Sequence, residues 1–171
     1  MDFINLAKKR YSVRKYESKK VEQEKLDKIL EAGWVAPTAA NLQPQRIIVI
    51  NTEAGLKKLK KGANIFSAPL ALVVCSDHSV TWKRPGDKKD TADIDASIIT
   101  THMMLEATNL GLGSLWICYF DLDAIKAEFD LPESVEPINI LAIGYAAGTP
   151  LSPERHSAVR HPLENIVRYY D

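Results

Sequence analysis

Arg10, Ser12 and Arg14 alternate with Tyr11 and Val13 near the start of the chain. In an extended segment, side chains two apart share a face, so this spacing turns two guanidinium forks and a hydroxyl to one side. Such a set can grip a phosphate or another electron-rich group, because each guanidinium offers several donors in one plane. A solvated basic edge is the plainer alternative. A second pattern is Ala36-Pro37-Thr38-Ala39-Ala40-Asn41-Leu42-Gln43-Pro44. Two prolines restrict its backbone, and Thr38, Asn41 and Gln43 set donors and acceptors around small alanines that leave room for a flat ligand. A rigid helix-to-strand connection would have the same composition. The third pattern runs from Gly111 to Asp121, where a helix end feeds an apolar strand whose backbone can face a ligand. Its simpler meaning is a buried strand.

Other chemistry finds little support. Gly111-Leu112-Gly113-Ser114-Leu115-Trp116 is half of a dinucleotide fingerprint, but tryptophan stands at the last glycine position and the segment follows a helix. No P-loop, nucleophile elbow or HExxH motif occurs. Cys75 and His78 are scattered as metal ligands, and no metal site is expected. His102, on a mainly apolar helix, reads as a core or interface histidine. Cys75 and Cys118 both lie in apolar stretches, which raise a thiol's pKa and leave it inert.

The elements that must position these residues follow from periodicity and punctuation. Asp2 is a good N-cap for a short helix reaching about Lys9, with Arg10 at its end. Leu26, Ile29, Leu30 and Gly33 form one stripe of an amphipathic helix over Glu22–Gly33. Gln45–Ile50 reads as a strand, followed by a charged surface helix from Thr52 to Lys61, and Leu70–Cys75 as a buried strand. Polar Ser76–Thr91, with Pro85 and Gly86, is expected to be a mobile loop or lid. Asp93–Leu110 is long and apolar over most of its circumference, as a helix partly covered by another subunit would be. Leu115–Phe120 should be a strand, Asp121–Phe129 a capped helix and Pro137–Tyr145 a strand. Beyond Gly148 the chain has too little core of its own and must lie on something.

With 171 residues, the chain is read as one domain burying roughly 70% of its unfolded surface. Lys plus Arg and Asp plus Glu are 22 each, so no net field draws it to nucleic acid or an anionic membrane. Its longest apolar run is too short to span a bilayer. The first ten residues carry no secretory signal, so a cytoplasmic location is expected.

Taken in order, the three patterns resemble the FMN-dependent nitroreductase family. That family shows an Arg-x-Ser-x-Arg-like start, an Ala-Pro-Ser/Thr-x-x-Asn-x-Gln-Pro loop, a Gly-Leu-Gly turn before a Trp-Ile-type strand, and a late Arg followed by Pro-Leu-Glu. The last element stands here as Arg160, Pro162, Leu163 and Glu164, with His161 between. Each motif is weak, but the series spans Arg10 to Val167. The resemblance implies an α+β fold, a three-layer α/β/α sandwich with a mainly antiparallel sheet, in a homodimer with two interfacial FMN sites. It makes residues 149–171 a tail packing on the partner subunit. It casts Arg10, Ser12 and Arg160 as phosphate and ribityl ligands and Arg14 as the neighbour of the flavin N1 and C2 carbonyl edge. Pro37, Thr38, Asn41 and Gln43 would approach from the partner chain. Trp116, Ile117 and Cys118 would line the ring, with the N–H of Cys118 or a neighbour facing N5. Where many members carry a lysine two residues before the late arginine, this chain has Ala158, which leaves Arg155 or His156 as substitutes.

The activity so implied is transfer of hydride from NAD(P)H through FMN to an electrophilic acceptor, a nitro compound or a quinone, in ping-pong turnover. No protein acid or base is required, and Arg14 would stabilise charge developing on the flavin. A non-catalytic FMN-binding or sensing module, or a flavin-dependent relative with a different substrate, would carry the same motifs.

Overall fold

A strand covered on both faces needs apolar residues without alternation, and Leu70–Cys75 meets that condition. The computed structural model describes residues 2–170, and in it this run forms most of a strand, β2 (Leu70–Asp77), at the middle of the sheet. β2 pairs antiparallel with β1 (Gln45–Ile50) on one side and with β4 (Val135–Gly144) on the other. β3 (Gly113–Ile117) pairs antiparallel with the far side of β4, giving the order β1-β2-β4-β3. Beyond β3, Ser12 makes a parallel bridge to Ser114, and the Val13 N–H donates to Ser114 O at 2.9 Å. The arginine-bearing segment is therefore a short fifth strand position. Gly113 permits that approach, since a Cβ there would stand 2.6 Å from Val13 Cγ2.

Helices cover both faces. α2 (Gln23–Trp34) and α4 (Ala92–Asn109) press Leu26, Ile29, Ile99 and Met103 against Leu72, Val74, Leu141 and Ile143. α3 (Glu53–Leu59) and α5 (Leu122–Glu128) close the other face with Leu59 and Ile125 against Val73, Leu115 and Ile140. Each such side chain contributes about 1.5–3 kcal/mol on burial. The outcome is the expected α+β fold of three layers. Short side chains set the helix starts: Asp2 accepts from Asn5 N–H at the head of α1 (Phe3–Lys9), Thr52 from Gly55 N–H, and Asp121 from Ala124 N–H. Among the described residues no helix is long and apolar enough to cross a membrane.

Three expectations change. β3 starts two residues earlier than its apolar run and stops at Ile117, so Cys118 lies outside the strand. Pairing with β4 ends there, and Asp121 N–H turns instead to Gly62 O. Cys118 is exposed and not in an apolar setting; burial belongs to Cys75, whose pKa is pushed up to about 12. Ser76–Thr91 is not a free lid. β2 continues to Asp77, His78 bridges Asp90 and Glu136 at 2.8 Å each, and Lys83 pairs with Asp90. In the tail, α6 (Arg155–Val159) bonds to the end of α1, while Leu163, Ile166, Tyr169 and Tyr170 are exposed and leave a surface that a partner can cover.

Candidate functional site

Arg10 lies at the C-terminal end of α1, where a helix leaves carbonyls unpaired. Arg155 fills that need: its guanidinium donates to Lys8 O at 3.1 Å and to Arg10 O, and His156 Nε2 lies 3.2 Å from Lys8 O. The tail is thereby pinned so that Arg155 and Arg160 both lie near Arg10. Partial burial lowers the Arg10 pKa, and repulsion from these two arginines lowers it further. Among the described residues no carboxylate pairs with Arg10, Arg14 or Arg160, whereas Arg46 and Arg84 each hold an aspartate. Clustered guanidiniums that repel one another and lack acidic partners suit a dianionic phosphate. Arg155 and His156, the two substitutes for the missing lysine at Ala158, both reach backbone carbonyls at the end of α1.

Ser12 and Arg14 are exposed along this edge, while Val13 is buried between them, as the alternation requires. The parallel bridge sets Ser12 and Ser114 on one face of the sheet. Just past β3, the amides of Cys118 and Tyr119 donate to no acceptor among the described residues. Both residues are exposed, and Trp116 stands beside them with its indole N–H on Cys118 Sγ at 3.2 Å. Ile117 points into the core on the α3 and α5 side, so only its main chain is available to a ligand. Two free donors and a half-buried indole fit the polar edge and flat face of a flavin ring.

The segment Pro37–Gln43 is built differently. Ala40, Asn41 and Gln43 hold φ of 50°, 55° and 52°, a left-handed conformation that non-glycine residues keep only where the surroundings fix it. Thr38 Oγ1 accepts the Gln43 N–H at 3.1 Å, and Gln43 Nε2 donates to Asn41 O at 3.1 Å. From outside the segment, Asp95 on α4 accepts the Ala39 N–H at 2.9 Å, and Pro44 O receives the Asp77 N–H. Pro37, Asn41 and Gln43 remain exposed and Thr38 half-buried.

One chain does not bring these two sets together. The loop leads into β1, and Arg10–Arg14 lies beyond β3. Four inter-strand spacings separate the two edges, roughly 19 Å. A cavity of about 550 Å³ touches Arg10, Ser114 and Leu151 but none of the loop residues. Sequence reasoning missed Asp95, which has no motif around it, and the pinning of the tail by Arg155. A signal for Arg155 existed in its charge and its place ahead of Arg160; for Asp95 there was only its position in the first turn of α4.

The fold has counterparts among known proteins. The family model described as the nitroreductase family matches residues 7–64 and 56–145. The chain belongs to the nitroreductase family, and so to a class of oxidoreductases. A crystal structure of a nitroreductase family protein from Clostridium difficile 630 is 56% identical, with a TM-score of 0.98 over 100% of this chain and 99% of that one. An FMN-dependent nitroreductase from Clostridium difficile R20291 is 32% identical, with a TM-score of 0.79 over 99% of each chain. An NADH dehydrogenase from Thermus thermophilus is 28% identical over 98% of this chain and 95% of its own length.

Proposed function

We propose that the protein is a homodimeric, cytoplasmic FMN-dependent oxidoreductase that passes hydride from NAD(P)H to a small electrophilic acceptor, a nitro compound or a quinone. The observation that carries this reading is the cluster of Arg10, Arg155 and Arg160, with no carboxylate partner among the described residues, beside a sheet edge whose Cys118 and Tyr119 amides have no acceptor there either. Bound FMN would supply the hydride chemistry between donor and acceptor. Arg10, Ser12 and Arg160 hold its phosphate and ribityl chain, with Arg155 adding charge. Arg14, without an acidic partner, sets a positive charge beside the N1 and C2 carbonyl edge and so favours the more negative reduced state. The free N–H groups of Cys118 and Tyr119 would hold the polar edge of the flavin ring, with Trp116 beside it. Pro37, Thr38, Asn41 and Gln43 serve the site of the partner subunit, because they lie on the opposite edge of the sheet from the arginines of their own chain. The exposed apolar side chains of Phe3, Ile4, Leu163, Ile166 and Tyr170 give the dimer a surface to bury, the tail lying across the partner. Two free thiols suit the reducing cytoplasm.

The test is to identify the flavin released on denaturation and to follow NAD(P)H oxidation with and without a nitro or quinone acceptor. FMN release and acceptor-dependent turnover are expected. FMN without turnover would assign the chain to flavin binding or sensing, and no binding on FMN titration would overturn the proposal.

A further inference from the structure

The left-handed backbone of the Thr38–Gln43 segment has one short side-chain anchor from the rest of the fold. Asp95 is 1% exposed; its Oδ1 accepts the Ala39 N–H at 2.9 Å, and its Oδ2 accepts the Thr91 hydroxyl at 2.9 Å. The other external side-chain contact, from Arg46 to Gln43 O, is long at 3.4 Å and lies on the exposed surface. Thr91 is the N-cap of α4 yet caps nothing with its side chain; its hydroxyl is shared between Asp95 and, at 3.3 Å, Trp82 O. A buried carboxylate costs desolvation, offset here by two short hydrogen bonds and the positive end of α4. Both oxygens are committed, one to the helix start and one to the strained loop.

We infer that Asp95 is a positioning residue for flavin binding: with Thr91 it clamps the Pro37–Gln43 loop in the strained conformation that presents Thr38, Asn41 and Gln43 to the flavin of the partner subunit. This rests on the homodimeric FMN reading above. The clamp acts before the ligand arrives. Without it, Ala40, Asn41 and Gln43 relax toward ordinary backbone angles, and FMN binding must then pay to rebuild the loop.

The chemistry of the side chain separates geometry from charge. In Asp95→Asn, the amide oxygen still accepts from Ala39 N–H, the amide nitrogen donates to Thr91 Oγ1, and the Thr91 hydroxyl donates to Trp82 O. In Asp95→Ala both contacts vanish. The experiment measures the FMN dissociation constant by titration of apoprotein, the rate of FMN loss from holoprotein, and hydrogen exchange at the Ala39 amide. We expect Asp95→Ala to weaken FMN binding about tenfold and to speed Ala39 exchange, and Asp95→Asn to stay within about twofold of the wild type. Thr91→Val, which keeps the Ala39 contact, should lie between them and serves if Asp95→Ala does not fold. Wild-type FMN affinity in either Asp95→Ala or Thr91→Val overturns the clamp while leaving the FMN reading intact. Asp95→Asn as damaging as Asp95→Ala replaces geometry by charge and also overturns it. Absence of FMN binding by the wild-type protein overturns both readings.

Discussion

The two edges of the sheet offer a ligand different things. The β3 edge offers charge: half-buried and exposed arginines with no acidic partners, held near one another by a tail that α1's carbonyls pin in place. The β1 edge offers shape: a neutral loop with three left-handed residues, held from below by a buried aspartate. Charge tolerates imprecise placement because it acts over several ångströms, whereas a loop that contributes through backbone position must be rigid before the ligand arrives. The two lie on opposite edges of the sheet in one chain, and in the proposed dimer a second copy supplies the complementary edge.

The largest effect is expected from Arg10→Ala. Removing one charge-assisted contact to a phosphate costs about 2 kcal/mol, near a thirtyfold loss of FMN affinity, and added salt should weaken the variant less than the wild type. An unchanged affinity would take Arg10 out of the site. Thr38→Ala should cost less, about 1 kcal/mol, by leaving the Gln43 N–H without its acceptor, and should leave the salt dependence as it was. A change in salt dependence as large as that of Arg10→Ala would erase the distinction between the edges.

The smallest effect is on pH, and it belongs to the loop side, since the strap from His78 leads to Thr91 and Asp95. The hydrogen bond to Asp90 raises the His78 pKa most; burial opposes it, the hydrogen bond to Glu136 adds a smaller rise, and the contact with His78 lowers the pKa of Asp90. A raised folded-state pKa means the contribution of His78 is whole below its ordinary value of 6.5 and fades as pH rises through the raised one. Asp90 contributes above its ordinary 3.8 and is lost as pH falls through its lowered value. Hydrogen exchange in residues 78–91 should therefore be slowest between these limits and should quicken on the alkaline side beyond the intrinsic pH effect, a change that His78→Gln removes. A strap indifferent to pH in the wild type would show that the two ion pairs do not hold it.

Much of this division was legible from residue types. Gln45–Ile50 is the observed β1, and the i, i+2 alternation did put Val13 inside with Ser12 and Arg14 outside, because strand geometry is local. The end of β3 was not legible: Leu115–Phe120 is apolar throughout, and only pairing with β4 decides that Ile117 stays in the sheet while Cys118 and Tyr119 leave it. Cys118 accordingly looked inert and is exposed. The strap at 78–91 looked loose because its composition is polar, yet His78 finds Asp90 twelve residues on and Glu136 on β4, contacts that no window of sequence contains. Asp95 was invisible for the same reason, since its partner Ala39 lies 56 residues away.

The central claim, that each site takes its arginines from one chain and its loop from the other, is open to a complementation test. An Arg10→Ala, Arg160→Ala chain and a Thr38→Ala, Asn41→Ala chain, each defective in FMN binding as homodimers, are co-expressed with different tags and the heterodimer is isolated. If the sites are shared, one of them combines both defects and the other is wholly wild type. The heterodimer should then bind one FMN per dimer with wild-type affinity and recover turnover. If arginines and loop of the same chain serve the same flavin, every site carries one defect, and a heterodimer with no wild-type site would contradict the account.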